Sequence, residues 1–345
     1  MTRYVILGAG AVGGALGGRL VQAGRDVVLI GRGEHLAAMR RDGLRLRTPE
    51  EDIALPVAVA ASPGEVDLRP DDLLVASAKT QQLGTLLPAW ADAPVRLADQ
   101  QATTAGESLP LLTATNGVAA ESLALRYFAR VYGVCVWMPA SRLVPGEVIA
   151  RGTPVSGVLH VGRVPAALAI AGDETLRQVS SDWTAARFTV QLPEDVMAWK
   201  YRKLISNLGN VFEALVGGTK EVRPLLEAAD REARTVLDAA GVRYTSDEEE
   251  SAARSAGFSI GRIPGVEEHF GGSTWQSLTR GTGDIETDYL NGEIARLAHE
   301  HGLQAPINTR LAALGRQAAA AGWRPGEVSP VKLATALRLP ASKAD

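Results

Sequence analysis

The chain is poor in the residues that staple or metallate a fold: of its 345 positions only one, Cys135, is cysteine. A single thiol closes no internal disulfide and supplies no CxxC or Cys/His zinc cluster. The five histidines are scattered without metal-ligand spacing, so no metal site is expected. This cysteine usage fits a reducing cytoplasm. An excess of one charge is missing too. Thirty-six basic residues against 39 acidic ones leave a formal charge of −3 and a pI near 6.0. No global positive field exists to hold a polyanion by counterion release, which excludes nucleic acid as an expected partner. Long apolar runs are also lacking. Those near the N-terminus are broken by glycine and then by Arg19 and Arg25, so neither a ~20-residue span nor a signal peptide is expected, and no membrane association. No Ser/His/Asp arrangement and no P-loop is visible, which leaves hydrolysis and phosphoryl transfer without support.

What is present is ordinary globular material: 46% apolar and 22% charged residues with a mean hydropathy of +0.01, enough to bury a core. The length exceeds one average domain, so two are expected. Short β-rich runs at 4–7 and 27–30 flank a helical pattern over 10–23, which is a βαβ unit with a right-handed crossover. The alternation continues through a helix at 34–41, strands at 44–47 and 73–77, a helix after Thr80 and a strand at 111–115, predicting a doubly wound parallel sheet. From 130 to 163 the β runs 131–137, 147–150 and 156–161 are joined by turn chemistry and are expected to close the sheet edge in antiparallel fashion. After Pro193 the β signal nearly vanishes and long helical patterns follow, over 194–216, 225–240, 247–256, 285–301 and 305–321. The predicted organisation is an α/β Rossmann-like domain over 1–190, an all-α domain over 191–325 and a loose tail over 326–345. The polar stretch 91–110 is longer than a usual connection and is expected to be a surface insertion.

Gly8-Ala9-Gly10-Ala11-Val12-Gly13 fits G-x-G-x-x-G. The match gains weight from context, because it follows a β run and opens an apolar helix. Gly8 then makes the tight turn, Gly10 lets backbone approach a pyrophosphate, Gly13 lets helix and strand pack closely, and the helix N-terminus presents free N–H groups that include Ala11 and Val12. The tip of the second strand selects the dinucleotide. Where an NAD site carries an acid, Ile30 is followed here by Gly31-Arg32-Gly33. Arg32 can fork onto a 2′-phosphate, which favours NADP(H); Glu34 just beyond, and an arginine that is merely solvated, are the competing readings.

Three further groups can carry chemistry. Lys79 ends a buried strand run and reaches the crevice where α/β sheets bind ligands, or else it snorkels to solvent. Asn116-Gly117 ends the next strand at the same edge, as a site element or as a plain turn. Lys203, Asn207 and Asn210 share one helix face, with Lys200 extending the stripe; asparagine is a poor helix former, which favours a site over a solvated face. Near the C-terminus, Glu286 opens another helical pattern after the polar segment 273–277. A hydride acceptor carbonyl needs a proton donor and an orienting amide, and lysine with asparagine supplies both.

Together these residues resemble the ketopantoate reductase (2-dehydropantoate 2-reductase) family over about residues 3–322. The motifs that carry the resemblance are Gly8 to Gly14, Gly31-Arg-Gly-Glu-His35, Ala78-Lys-Thr-Gln81, Asn116-Gly-Val118, Lys203-Leu-Ile-Ser-Asn207, Glu286-Thr-Asp-Tyr-Leu-Asn-Gly292, His301-Gly302 and Asn308-Thr-Arg310. The resemblance implies a helical C-terminal domain of the 6-phosphogluconate-dehydrogenase-like type and reduction of 2-dehydropantoate to pantoate with NADPH. It implies Lys203 as general acid, Asn207 and Asn210 along the substrate pocket, Glu286 at the substrate hydroxyl, and Lys79 and Asn116 beside the nicotinamide ribose and reacting carbon. The sequence departs from the family at Ser273-Thr-Trp-Gln-Ser277. The substrate carboxylate contact therefore lies with Ser273 or Thr274, and a reductase of another, bulkier 2-keto acid, motivated by Trp275, stands beside the first reading. A non-catalytic NADP(H)-binding redox sensor and a homodimer are the remaining possibilities.

Overall fold

In a computed structural model the chain divides into two compact units, one comprising the residues up to Lys200 with Ser246–Val266, the other Tyr201–Thr245 with the residues after Val266. The structure describes residues 2–96, 102–218, 220–255, 257–266, 271–281 and 283–339.

The first unit is built on an eight-stranded sheet in the order Thr189–Gln191, Val158–Val164, Arg130–Trp137, Pro110–Thr113, Asp72–Ala76, Arg3–Leu7, Asp26–Ile30, Ala58–Ala60. Every neighbouring pair is parallel except Arg130–Trp137 with Val158–Val164. Alternation along each strand splits the core in two. Tyr4, Ile6, Leu29 and Val75 pack with Trp183 and Phe188 in one cluster, while Val5, Leu7, Ile30 and Leu74 pack with Trp90 and Phe128 in another. Burial on both faces is why the strands read as continuous apolar runs. The glycine-rich helix Ala11–Gln22 lies close to its neighbours: a Cβ on Gly17 would stand 2.5 Å from Leu29 and one on Gly14 2.6 Å from Val148.

Several expectations change. The run at 147–150 does not close the main sheet. Glu147–Ala150 pairs in parallel with Leu44–Arg47 in a separate four-stranded sheet, because Val148, Ile149 and Ala150 find buried partners there. The stretch 91–110 is not merely a surface insertion. Pro94–Arg96 and Ala102–Thr104 form an antiparallel pair, and Val95, Ala105 and Leu109 are buried in the second cluster; its residues 97–101 lie outside those described. The helix Glu174–Ala185, capped by Asp173, was not anticipated, although Asp-x-x-Leu before an apolar stripe is a start signal. Asp247–Ser255 and the short pair Gly152–Thr153 with Ser259–Ile260 belong to this unit and not to the helical one; Ala256, the last residue of the expected helix, lies outside the described set.

The second unit is helical among its described residues: Asn210–Val216, Arg223–Ala239, Ser273–Thr279, Pro306–Ala321 and Pro330–Leu337 pack around Phe212, Leu215, Leu225, Leu311 and Leu333, and Asn291–Glu300 lies against Arg223–Ala239 and Pro306–Ala321. The expected single helix over 194–216 is two, Val196–Asn207 and Asn210–Val216. Gly209, a weak helix former, sits at the break, and Gly217 at φ +79° ends the second piece. The 285–301 pattern likewise splits into a 3₁₀ turn Thr287–Tyr289 and the helix Asn291–Glu300, because Leu290 leaves helical geometry at φ −114°, ψ −91°. The tail expectation is overturned as far as residue 339. Ser329 caps a helix opened by Pro330, and Leu333, Ala334 and Leu337 are buried in the helical core; residues 340–345 lie outside those described.

Candidate functional site

In the first unit the C-terminal strand ends gather the predicted cofactor residues. Gly8 leaves its strand at φ +118°, where a Cβ would stand 2.7 Å from the Ala78 nitrogen; only glycine is unstrained there. Ser77 donates its hydroxyl to the Gly8 carbonyl at 2.8 Å, and the Ser77 and Ala78 amides both donate to the Leu7 carbonyl. The glycine turn is thus stitched to the segment that carries half-buried Lys79. Thr80 in turn donates to the Asn116 carbonyl at 3.4 Å. Glycine loop, Lys79 and Asn116 are therefore neighbours along one sheet edge.

The loop suits a dinucleotide. A Cβ on Gly13 would fall 2.1 Å from the Gly8 carbonyl and 2.2 Å from Ser77 Oγ, whereas one on Gly10 meets nothing within 4 Å. Gly13 is thus a packing glycine, while Gly10 borders open space at an uncapped helix N-terminus with no acid in its first turn. A backbone that stays bare toward solvent at that position fits a bound pyrophosphate. Gly13→Ala is expected to cost about 3 kcal/mol or more of stability by overpacking. Gly10→Ala should leave the melting temperature near the parental value and weaken NADPH binding. Thermal melts with a fluorescence titration check both; equal melting losses would contradict the assignment.

Arg32 is exposed, in extended conformation at the start of the helix Gly33–Asp42. His35 in that helix does what the sequence did not disclose. Its Nδ1 accepts the Gly146 N–H at 2.8 Å, so the ring proton sits on Nε2 and is donated to the Ala9 carbonyl at 2.7 Å. Burial, helped by the Arg142 charge, pushes the His35 pKa down to about 4; burial does the same to His160, down to about 4, stacked on Trp199 at 3.7 Å. An unfolded histidine takes its proton near pH 6.5, before the folded one does. The contribution of both groups to stability is thus full above that value and is lost as pH falls toward about 4. The parental melting temperature should fall through this window more steeply than that of His35→Gln; parallel curves would count against a neutral His35 bridge.

The helix Val196–Asn207 runs from one unit into the other. Lys200, expected to extend the stripe of Lys203, does not. It belongs to the first unit, its side chain is 2% exposed, and its ammonium pairs with Glu121 and donates to the Thr115 carbonyl at 3.2 Å. In the second unit Lys203 and Asn207, one turn apart, are both half-buried. Asn210 approaches the segment before Ser273: a Cβ on Gly272 would stand 2.8 Å from its Oδ1, and Glu213 accepts the Gly272 N–H at 2.6 Å. Ser273 Oγ is buried with no hydrogen-bond partner, while Thr274 is buried at 2%. Trp275 packs against Gly271 and the helical core, which weakens its reading as a pocket residue. Glu286 is 6% exposed. Further along the chain Asn291 donates to Asn308 at 3.0 Å, and Asn308 donates to Glu232 at 3.0 Å, a buried brace for the two motif asparagines whose role the sequence left open. No cluster of His, Cys, Asp or Glu among the described residues could hold a metal, and no described helix is long and apolar enough to cross a membrane.

Comparison with known proteins identifies the family and the fold. The family model described as ketopantoate reductase PanE/ApbA matches residues 4–166 and its C-terminal counterpart residues 195–319. A 2-dehydropantoate 2-reductase of Pyrococcus horikoshii is 27% identical over 320 residues, covering 90% of this chain and 96% of that protein. The crystal structure of a PanE/ApbA family ketopantoate reductase from Ralstonia eutropha superposes with a TM-score of 0.72 at 27% identity, covering 93% of this chain and 99% of that one. D-mandelate dehydrogenase, solved with NADH and anilino(oxo)acetate, shares the fold with a TM-score of 0.74 at 20% identity and the same coverage.

Proposed function

Because the chain belongs to the ketopantoate reductase family, we propose that it reduces a 2-keto acid with NADPH, with 2-dehydropantoate as substrate and pantoate as product. The observation that carries this reading is the continuous run of the glycine loop, Lys79 and Asn116 along one sheet edge. When bound, the nicotinamide supplies a hydride to the carbonyl carbon. The protein's part is binding, orientation and the proton. Gly10, Ala11 and Val12 cradle the pyrophosphate on a loop that the Gly8 turn and the close packing at Gly13 shape, Arg32 holds the 2′-phosphate, and Lys79 and Asn116 orient the ribose and the reacting carbon. Lys203 Nζ donates its proton to the carbonyl oxygen as that oxygen becomes a hydroxyl, so one hydride and one proton complete the reduction. Asn207 and Asn210 orient the substrate, Glu286 accepts from its hydroxyl, and Ser273, whose Oγ lacks a partner, takes its carboxylate, with Thr274 as the alternative.

NADPH oxidation followed by absorbance against a panel of 2-keto acids tests the reading. Turnover of 2-dehydropantoate above the others is expected. Activity confined to a bulkier acid would transfer the same machinery to that substrate, an outcome the changed segment 273–277 makes worth including. Binding of NADPH with no turnover of any acid would favour a sensor. The reading carries with it a cytoplasmic location and allows a homodimer, which sedimentation decides.

A further inference from the structure

Lys200 is a group for which the proposed reaction has no direct use. An ammonium on a side chain 2% exposed is paired with a carboxylate, Glu121, that is equally buried. A buried ion pair is a poor source of stability, because desolvating two charges offsets their attraction. Its placement is informative. Lys200 donates to the carbonyl of Thr115, the residue immediately before Asn116, and Glu121 sits in the short helix Ala119–Ala124 that follows. Glu121 also accepts the Thr113 hydroxyl at 2.7 Å, from the strand that precedes. The pair therefore grips both arms of the turn that presents Asn116, whose own carbonyl is held by Thr80.

We propose that Lys200 and Glu121 are positioning residues: their buried pair fixes the Thr115–Asn116–Gly117 turn at the sheet edge, so that Asn116 meets the cofactor and the carbonyl in register. This rests on the role given to Asn116 above. The geometry requires no contact of Lys200 with substrate or cofactor. Its ammonium is spent on Glu121 and on a backbone carbonyl, the two acceptors that define where the strand stops and the turn begins. Displacement of a positioning group by about 1 Å is enough to cost on the order of a hundredfold in rate.

The first measurement needs no turnover. Hydrogen exchange of the Lys200→Met protein without ligand should rise in the segment 113–121 and stay at the parental level in the strands Arg3–Leu7 and Asp26–Ile30. A uniform rise across the first unit would identify a general brace and overturn the proposal. The second is a kinetic cycle. Lys200→Met should lower kcat roughly 100-fold, and Asn116→Ala should lower it too. In the Asn116→Ala background Lys200→Met should add little, because the group it places is gone. Additive losses overturn the positioning role while leaving the reductase intact. A parental kcat in Asn116→Ala overturns it by removing its premise, and the panel assay reports separately whether the enzyme is a reductase at all. If Lys200→Met does not fold, the charge-free pair Lys200→Met/Glu121→Leu carries both measurements. That double variant should regain the melting temperature without regaining kcat, and recovery of both together would again identify a brace.

Discussion

Lys203→Ala is expected to lower kcat by about 100- to 10,000-fold, the range for loss of a general acid, while NADPH affinity stays within a few fold. The two effects separate because the glycine loop lies in the first unit and Lys203 in the second. The parent enzyme should also lose kcat on the alkaline side as the lysine gives up its proton, and Lys203→Ala should lack that limb. The same profile distinguishes the two lysines of the helix Val196–Asn207. Lys200 is committed to Glu121 and Thr115, so its variants should be slow yet keep the alkaline limb. An alkaline limb that survives in Lys203→Ala and disappears in Lys200→Met would move the proton donor one turn along the helix.

Arg32→Ala should weaken NADPH binding about ten- to a hundredfold, equivalent to ~1.5 to 3 kcal/mol for a charged hydrogen bond, and leave NADH binding nearly unchanged. The arginine stands exposed at the start of the helix Gly33–Asp42, with Glu34 in the first turn behind it. A carboxylate that close would repel a 2′-phosphate, so the expected preference depends on the guanidinium outweighing it. Titration of both cofactors by fluorescence reads the ratio directly. An equal loss for NADPH and NADH would remove Arg32 from the 2′-phosphate and leave Glu34 as the residue that selects the cofactor.

The sequence by itself determined the βαβ opening, the glycine loop and the apolar parallel strands at 4–7, 27–30, 73–77 and 111–115, because each rests on short-range chemistry. A strand that must be buried on both faces is apolar throughout, and a turn at φ +118° requires glycine wherever it occurs. Local pattern marks strands near Leu44–Arg47 and at Glu147–Ala150, yet it does not give their pairing with each other across some hundred positions, since register between distant segments is set by what is left to pack against. The helical stripe shows the same division. Spacing placed Lys200 and Lys203 within one turn of each other, and nothing local distinguishes two lysines on one helix. Only the tertiary structure sent Lys200 to a buried carboxylate in the first unit and left Lys203 half-buried in the second. His35 was legible as part of a motif, but its bridge from Ala9 to Gly146 joins residues more than a hundred positions apart. The physical reason is common to all three cases: local propensity and burial pattern are written into neighbouring residues, whereas the partner of a buried polar group is decided by which distant segment the packed core brings within hydrogen-bond reach.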